Sequence, residues 1–219
     1  MKKIVTFISG VGSNLKVILD ACQNSIINAR IASVFSNISC AYGLTYAKKS
    51  GIPINIIDVN RFINFETFDF MLTKEVDKYK PDLIVLAGYM RILGSFFVNY
   101  YKGRIMNIHP SLLPKYPGLN THCRVLENGE LEHGSSVHFV TDKLDSGPII
   151  IQSRVPVLST DDKFSLKERV KSQEYIIYPI AIKWYIETRL IMKEEKVWLD
   201  GKTLPPQGYT GNIDNLIKN

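Results

Sequence analysis

At 219 residues and 45% hydrophobic, the chain supports one sizeable core, and no segment approaches the roughly 20 apolar residues that a membrane span requires. A formal charge of +6 arises from Lys and Arg scattered among acids, with no basic aromatic stripe, so nucleic acid is disfavoured and small polyanions suit the field better. Cys22, Cys40 and Cys123 form no C-x-x-C pair, which indicates reduced thiols in a cytoplasmic protein, and no His, Cys or Glu cluster has metal-ligand spacing.

In chain order, Lys3 to Ile8 reads as a buried parallel strand that gives way to Ser9-Gly10 too early for a secretory leader. Gly12-Ser13-Asn14 then opens a helix over Leu15 to Ala21, with Ser13 or Asn14 as its N-cap. A strand, a glycine turn and a helix N-terminus make an anion seat, because free N–H groups and the helix dipole both favour negative charge. A dinucleotide fingerprint would place a third glycine where this chain has Leu15. A strand over Ile31 to Phe35, a helix over Ala41 to Lys49 and a strand over Ile54 to Ile57 continue a β-α-β rhythm, which predicts a parallel sheet. A helix over Glu66 to Tyr79 stops at Pro81, and Leu83 to Ala87 is the most apolar strand. Gly88, just beyond it, allows a flat ligand to approach the backbone, or simply makes a β-α connection.

After a short helix from Phe96 to Tyr101 comes the central stretch, Arg104 to Gly118. Ile105, Met106 and Ile108 mark a buried strand, and the period of two places Asn107 and His109 on one of its faces. Pro110 ends the strand, so an amide and an imidazole stand at the C-terminal edge of a sheet, where α/β proteins bind ligands. From spacing alone, such a pair at a strand end is more often hydrogen-bonded structure than catalytic. A short helix follows from His122 to Gly129, then a strand over Ser135 to Val140 whose His138 reads as a core residue. A loop from Thr141 to Pro148 carries Asp142 and Asp145, with small residues beside Asp145 that would admit a ligand. Ile149 to Val155 is a further strand and makes an antiparallel pair with the one before. One long helical pattern runs from Phe164 to Leu190, and Pro179 should kink or split it. Trp198 to Gly201 resembles a closing hairpin fragment, and residues 211–219 form a polar tail.

Asn107-x-His109-Pro110-Ser111-Leu112-Leu113-Pro114 resembles the signature of the enzymes that take a formyl group from 10-formyltetrahydrofolate. The similarity also takes in Ile8 to Leu15, Leu86 to Leu93, Glu132 to His138, Asp145 to Pro148 and Leu204 to Tyr209. It implies a single-domain α/β fold over residues 1–210, a mostly parallel Rossmann-like sheet flanked by helices with an antiparallel C-terminal extension. Its phosphate-binding half would cover about residues 1–100 and its folate and catalytic half about 101–210. The branch that serves purine synthesis implies attack by the amino group of phosphoribosylglycinamide on the formyl carbon, with 10-formyltetrahydrofolate as co-substrate and no metal. By resemblance, Asn107, His109 and Asp145 are catalytic, and Gly12, Ser13, Asn14, Lys171, Ser172, Gln173 and Glu174 hold the ribotide. Met90, Arg91, Ile92, Leu93, Asn107 and Thr141 to Asp145 (Asp142, Lys143 and Leu144 between) line the folate site.

The chemistry fits these residue types. Formyl transfer passes through a tetrahedral oxyanion, which an amide N–H and an imidazolium can stabilise, while a carboxylate beside the imidazole favours its charged form. Some members carry an arginine at the position of Phe65, which leaves Arg61 as a substitute for holding the folate tail. A formyltetrahydrofolate deformylase would need an N-terminal module, and a methionyl-tRNA formyltransferase a C-terminal one. The sequence predicts small-molecule substrates, no nucleic-acid or membrane partner, and a monomer or homodimer. A silent folate- or nucleotide-binding module is the reading from another class.

Overall fold

The computed structural model describes residues 1–58, 64–213 and 216; Arg61 lies outside the described residues. The chain divides into two compact units, Met1–Asn107 and Ile108–Asn219.

The first unit is built on parallel strands. β1 (Lys2–Ile8) lies between β2 (Ala29–Ser36) and β4 (Leu83–Leu86), β3 (Ile54–Ile56) pairs with β2, and β5 (Ile105–His109) pairs with β4 through Ile84↔Ile105 and Leu86↔Asn107. The order β3-β2-β1-β4-β5 reverses direction between β1 and β4. At such a switch point the loops after the two strands splay apart and leave a crevice. Strands buried on both faces read as apolar runs, and Ile4, Val5, Phe7 and Ile8 of β1 and all four residues of β4 are buried accordingly. Phe7 is the hub of this core, stacked on Phe35 at 5.1 Å and meeting Phe97 edge-on at 5.9 Å.

The helices of this unit are α1 (Ser13–Gln23), α2 (Leu44–Lys49), α3 (Phe65–Asp77) and α4 (Ser95–Tyr100). Asn64 caps α3 by accepting from the Thr67 N–H. The buried Asp69 of α3 accepts from Gly94 N–H at 3.0 Å and Phe97 N–H at 2.8 Å, so a carboxylate neutralises the start of α4. A Cβ at Gly94 would sit 2.4 Å from that carboxyl, which explains the glycine. Two expectations are corrected here. The N-cap of α1 is Gly12, in the left-handed region at φ 73°, not Ser13 or Asn14. Its backbone lies so close to Gly43 that a Cβ would fall 2.5 Å from the Gly43 Cα, a packing demand that excludes a capping side chain. The second helix starts at Leu44 rather than Ala41, because Ala41 O and Tyr42 O accept from Leu44 and Thr45 N–H, three residues on, and so form tight turns ahead of it.

The second unit contains α5 (Thr121–Glu127), the antiparallel pair β6 (Glu132–Phe139) and β7 (Ile149–Pro156), α6 (Lys163–Ile186), and a small antiparallel sheet of β8 (Leu190–Lys193), β9 (Lys196–Leu199) and β10 (Lys202–Thr203). Val125, Val155, Leu166 and Val170 form one buried cluster. Asp162 caps α6 by accepting from Phe164 and Ser165 N–H, with Ser165 returning a bond to the Asp162 N–H. Pro179 does not split α6: the helix of 24 residues runs through it. Burial of Ile177, Tyr178, Ala181 and Ile182 around the proline outweighs the one backbone donor it lacks. The expected hairpin fragment is part of the three-stranded sheet, and Leu204 to Tyr209 then returns to β7, where Tyr209 N–H meets Ile150 O at 2.8 Å. The fold class is α/β, mostly parallel with antiparallel strands toward the C-terminus, as predicted. Among the described residues no helix is long and apolar enough to cross a membrane.

Candidate active site

β5 delivers Asn107 and His109 two residues apart, with His109 buried at 6% exposure. Beyond it the loop from Pro110 to Lys115 is tied down at several points. Ser136 of β6 donates to Ser111 O at 2.6 Å and accepts from Leu113 N–H at 3.1 Å, while Gln152 of β7 donates to Leu113 O at 2.8 Å. The Leu113–Pro114 peptide is cis. Further along, Tyr116 is fixed through its hydroxyl to Glu130 and through its ring to Arg124, whose guanidinium lies 5.2 Å above it.

This fixed loop places Tyr116 O at 2.9 Å from His109 Nε2. On the other side of the ring, Nδ1 faces Asp145 Oδ2 at 3.4 Å. Each ring nitrogen therefore faces an oxygen that can accept from it. Asp145 is held in turn by Gly118 N–H at 2.8 Å, and its backbone occupies the left-handed region at φ 47°, which aspartate tolerates better than most residues. Its side chain is 8% exposed, so the pairing with His109 is weakly screened. Beside Asp145, Gly147 packs at the turn between β6 and β7, where a Cβ would run into Phe139 O.

His138 is buried, as expected of a core histidine, and also faces the same carboxylate, with Nε2 3.8 Å from Asp145 Oδ1. Nδ1–H donates to Phe139 O at 2.9 Å, and burial pushes the imidazole down to about 4. His122 and His133 share a hydrogen bond of 3.0 Å, and burial, reinforced for His122 by Lys167 and Lys163, pushes each down to about 4. Three of the four histidines are thus neutral when folded. Unfolded, they take up protons near the ordinary 6.5; folded, only near 4. The unfolded state binds more protons within that window, so stability falls as pH drops through it. Thermal melts should show a falling midpoint from about pH 6.5 toward 4, with a shallower slope in a His122→Gln, His133→Gln variant; a flat midpoint would refute the assignment.

The other predicted residues are placed as follows. Gly12-Ser13-Asn14 opens α1, whose first turn carries no acid, so the positive end of the helix dipole is left for an anion. Gly88 has φ 77°, and the space a Cβ would occupy is open. After it Met90 and Ile92 are exposed, Leu93 is buried, and Arg91 stacks over Phe68 at 5.2 Å and Phe65 at 6.0 Å. Asp142, Lys143 and Leu144 are exposed and Thr141 Oγ1 donates to Lys143 O at 3.4 Å. On α6 the four predicted residues point different ways: Lys171 pairs with Glu168, Ser172 donates to Arg169 O, Gln173 accepts from Ser153 Oγ at 2.7 Å, and Glu174 is buried. Tyr116 O and Gly118 N–H were not foreseen, since backbone groups leave no mark in residue type. For His138, read as a core residue, the unforeseen feature is its approach to Asp145.

A histidine framed by a loop carbonyl and a buried carboxylate, on a strand that also carries an amide, supplies the donors and the proton carrier that acyl-group chemistry requires. The formyl transferase family model matches residues 2–182, and the chain belongs to that family. Within it, the chain is 52% identical to the phosphoribosylglycinamide formyltransferase of Escherichia coli, covering 95% of this chain and 99% of that protein. The structure of the phosphoribosylglycinamide formyltransferase of Coxiella burnetii matches with a TM-score of 0.91 at 48% identity, covering 95% and 98% of the two chains. That of glycinamide ribonucleotide transformylase 1 from Symbiobacterium toebii matches with a TM-score of 0.88 at 41% identity, covering 91% and 94%.

Proposed function

We propose that the chain transfers the formyl group of 10-formyltetrahydrofolate to the amino group of phosphoribosylglycinamide, as a cytoplasmic enzyme of purine synthesis in which residues 1–210 act as one domain. The observation that carries this reading is the buried His109–Asp145 pair, with Asn107 two residues before His109 in the chain, together with the near full-length likeness to enzymes named for that reaction. The amine attacks the formyl carbon, and Asn107 donates to the oxyanion that forms, together with His109, whose Nε2–H exchanges Tyr116 O for the substrate oxygen. One proton leaves the incoming amine and one reaches the departing folate nitrogen; His109 carries it, and Asp145 stabilises the ring while it is charged. The N-terminus of α1 seats the phosphate with Gly12, Ser13 and Asn14, and Lys171 to Glu174 contact the rest of the ribotide. Met90 to Leu93 and Thr141 to Asp145 serve the folate.

Purified protein supplied with 10-formyltetrahydrofolate should turn over only when the ribotide is present. Formate released without the ribotide would make it a hydrolase, and binding of both ligands without turnover would make it a silent module.

A further inference from the structure

We propose that Ser9 is a positioning residue that couples the loop from Gly10 to Asn14 to the loop from Gly88 to Leu93, so that a phosphate ester in the first sets the second for its ligand. This rests on the assignment of those two loops to the two substrates. The loops follow β1 and β4, the strands at which the sheet of the first unit reverses direction. Ser9 joins them twice. Its N–H donates to Gly88 O at 3.1 Å, and its hydroxyl accepts from Met90 N–H at 2.8 Å.

The hydroxyl is itself oriented. Its single proton is donated to Asn37 Oδ1 at 2.6 Å, beyond the end of β2, which leaves a lone pair aimed at Met90. Met90 is 70% exposed and so is not held by burial. The far side of the phosphate loop is braced. Gly10 O accepts from Gly43 N–H at 3.0 Å, and the backbones of Gly12 and Gly43 are too close for a Cβ on either. A shift of Gly10 to Gly12 around an anion therefore meets rigid backbone at Gly43 and passes instead to Ser9. Coupling of this kind needs a contiguous chain of packed or hydrogen-bonded groups, and Asn37, Ser9 and Met90 supply one.

The test uses the full chain, with ribose 5-phosphate as the anion and 5-formyltetrahydrofolate as the folate probe. Backbone amide resonances are followed as ribose 5-phosphate is added. In the wild type, Met90 should move along the same titration curve as Gly12 and Ser13. In Ser9→Ala, Gly12 and Ser13 should still respond while Met90 stays still. Ribose 5-phosphate should tighten the folate probe about fivefold in the wild type, the ratio one neutral hydrogen bond sustains, and about onefold in Ser9→Ala. Asn37→Asp keeps an acceptor for the hydroxyl and should retain the coupling, whereas Asn37→Leu should lose it, and this pair decides the matter if Ser9→Ala does not fold. Met90 following Gly12 in Ser9→Ala or in Asn37→Leu overturns the proposal, as does a silent Met90 in a wild type whose Gly12 responds. If ribose 5-phosphate moves neither loop, the phosphate-seat assignment falls and the coupling falls with it.

Discussion

Replacing His109 by alanine is expected to lower turnover by about 10²–10⁴, the range a positioned proton-transfer group supplies. The loss should appear in kcat, with the folate probe's affinity changed by less than about threefold, because the proton is needed in the transition state and not in the ground-state complex. The geometry separates this from a general collapse. Asp145 keeps its bond to Gly118 N–H, and the loop through Lys115 keeps its ties to Ser136 and Gln152, none of which involves the imidazole. His109→Asn, which leaves a polar side chain facing Tyr116 O, tests whether packing alone accounts for the effect. Single-turnover rates of either variant within tenfold of the wild type would remove His109 from the chemistry.

How much of this could be read from the sequence depends on which physical feature set each piece. Strands β1 and β4 were legible because burial on both faces leaves long apolar runs, and β5 with Asn107 and His109 because a period of two sets these polar residues on one face among Ile105, Met106 and Ile108. Contacts settled by backbone geometry were not legible. Gly12 caps α1 because Gly43 presses on it, and nothing in the composition around Ser13 announces a residue thirty positions away. That Pro179 leaves the helix unsplit was hidden for a related reason. Local propensity argues for a break, but tertiary burial on either side of the proline holds the helix together. At the site, Asp145 stood out as an acid in a loop of small residues, yet what holds it in place is a backbone N–H from Gly118. Loop carbonyls and amides complete the surroundings of His109, and these are common to every residue type.

Gly147→Ala is expected to cost about 3 kcal/mol or more of stability and most of the activity, more than an exposed loop glycine would. The added Cβ would fall 1.7 Å from Phe139 O and 3.4 Å from His138 Nδ1. Neither neighbour can step aside: Phe139 N–H is bonded to Pro148 O at 3.0 Å, and the carbonyl of Phe139 accepts from the buried His138 ring. The backbone from Asp145 to Pro148 must therefore lift away from β6. Asp145 stands two residues upstream in a left-handed conformation, so the lift moves the carboxylate away from His109 Nδ1. Urea unfolding measures the first effect, and turnover at saturating substrates the second. A second variant, Gly129→Ala, controls for the change itself, since Gly129 also lies in the second unit and its Cβ would meet nothing within 4 Å. Its left-handed φ of 61° predicts a loss of only about 1 kcal/mol with activity kept. If Gly147→Ala proves no more costly than Gly129→Ala, the turn after β6 is softer than its packing implies, and the placement of Asp145 has some other cause.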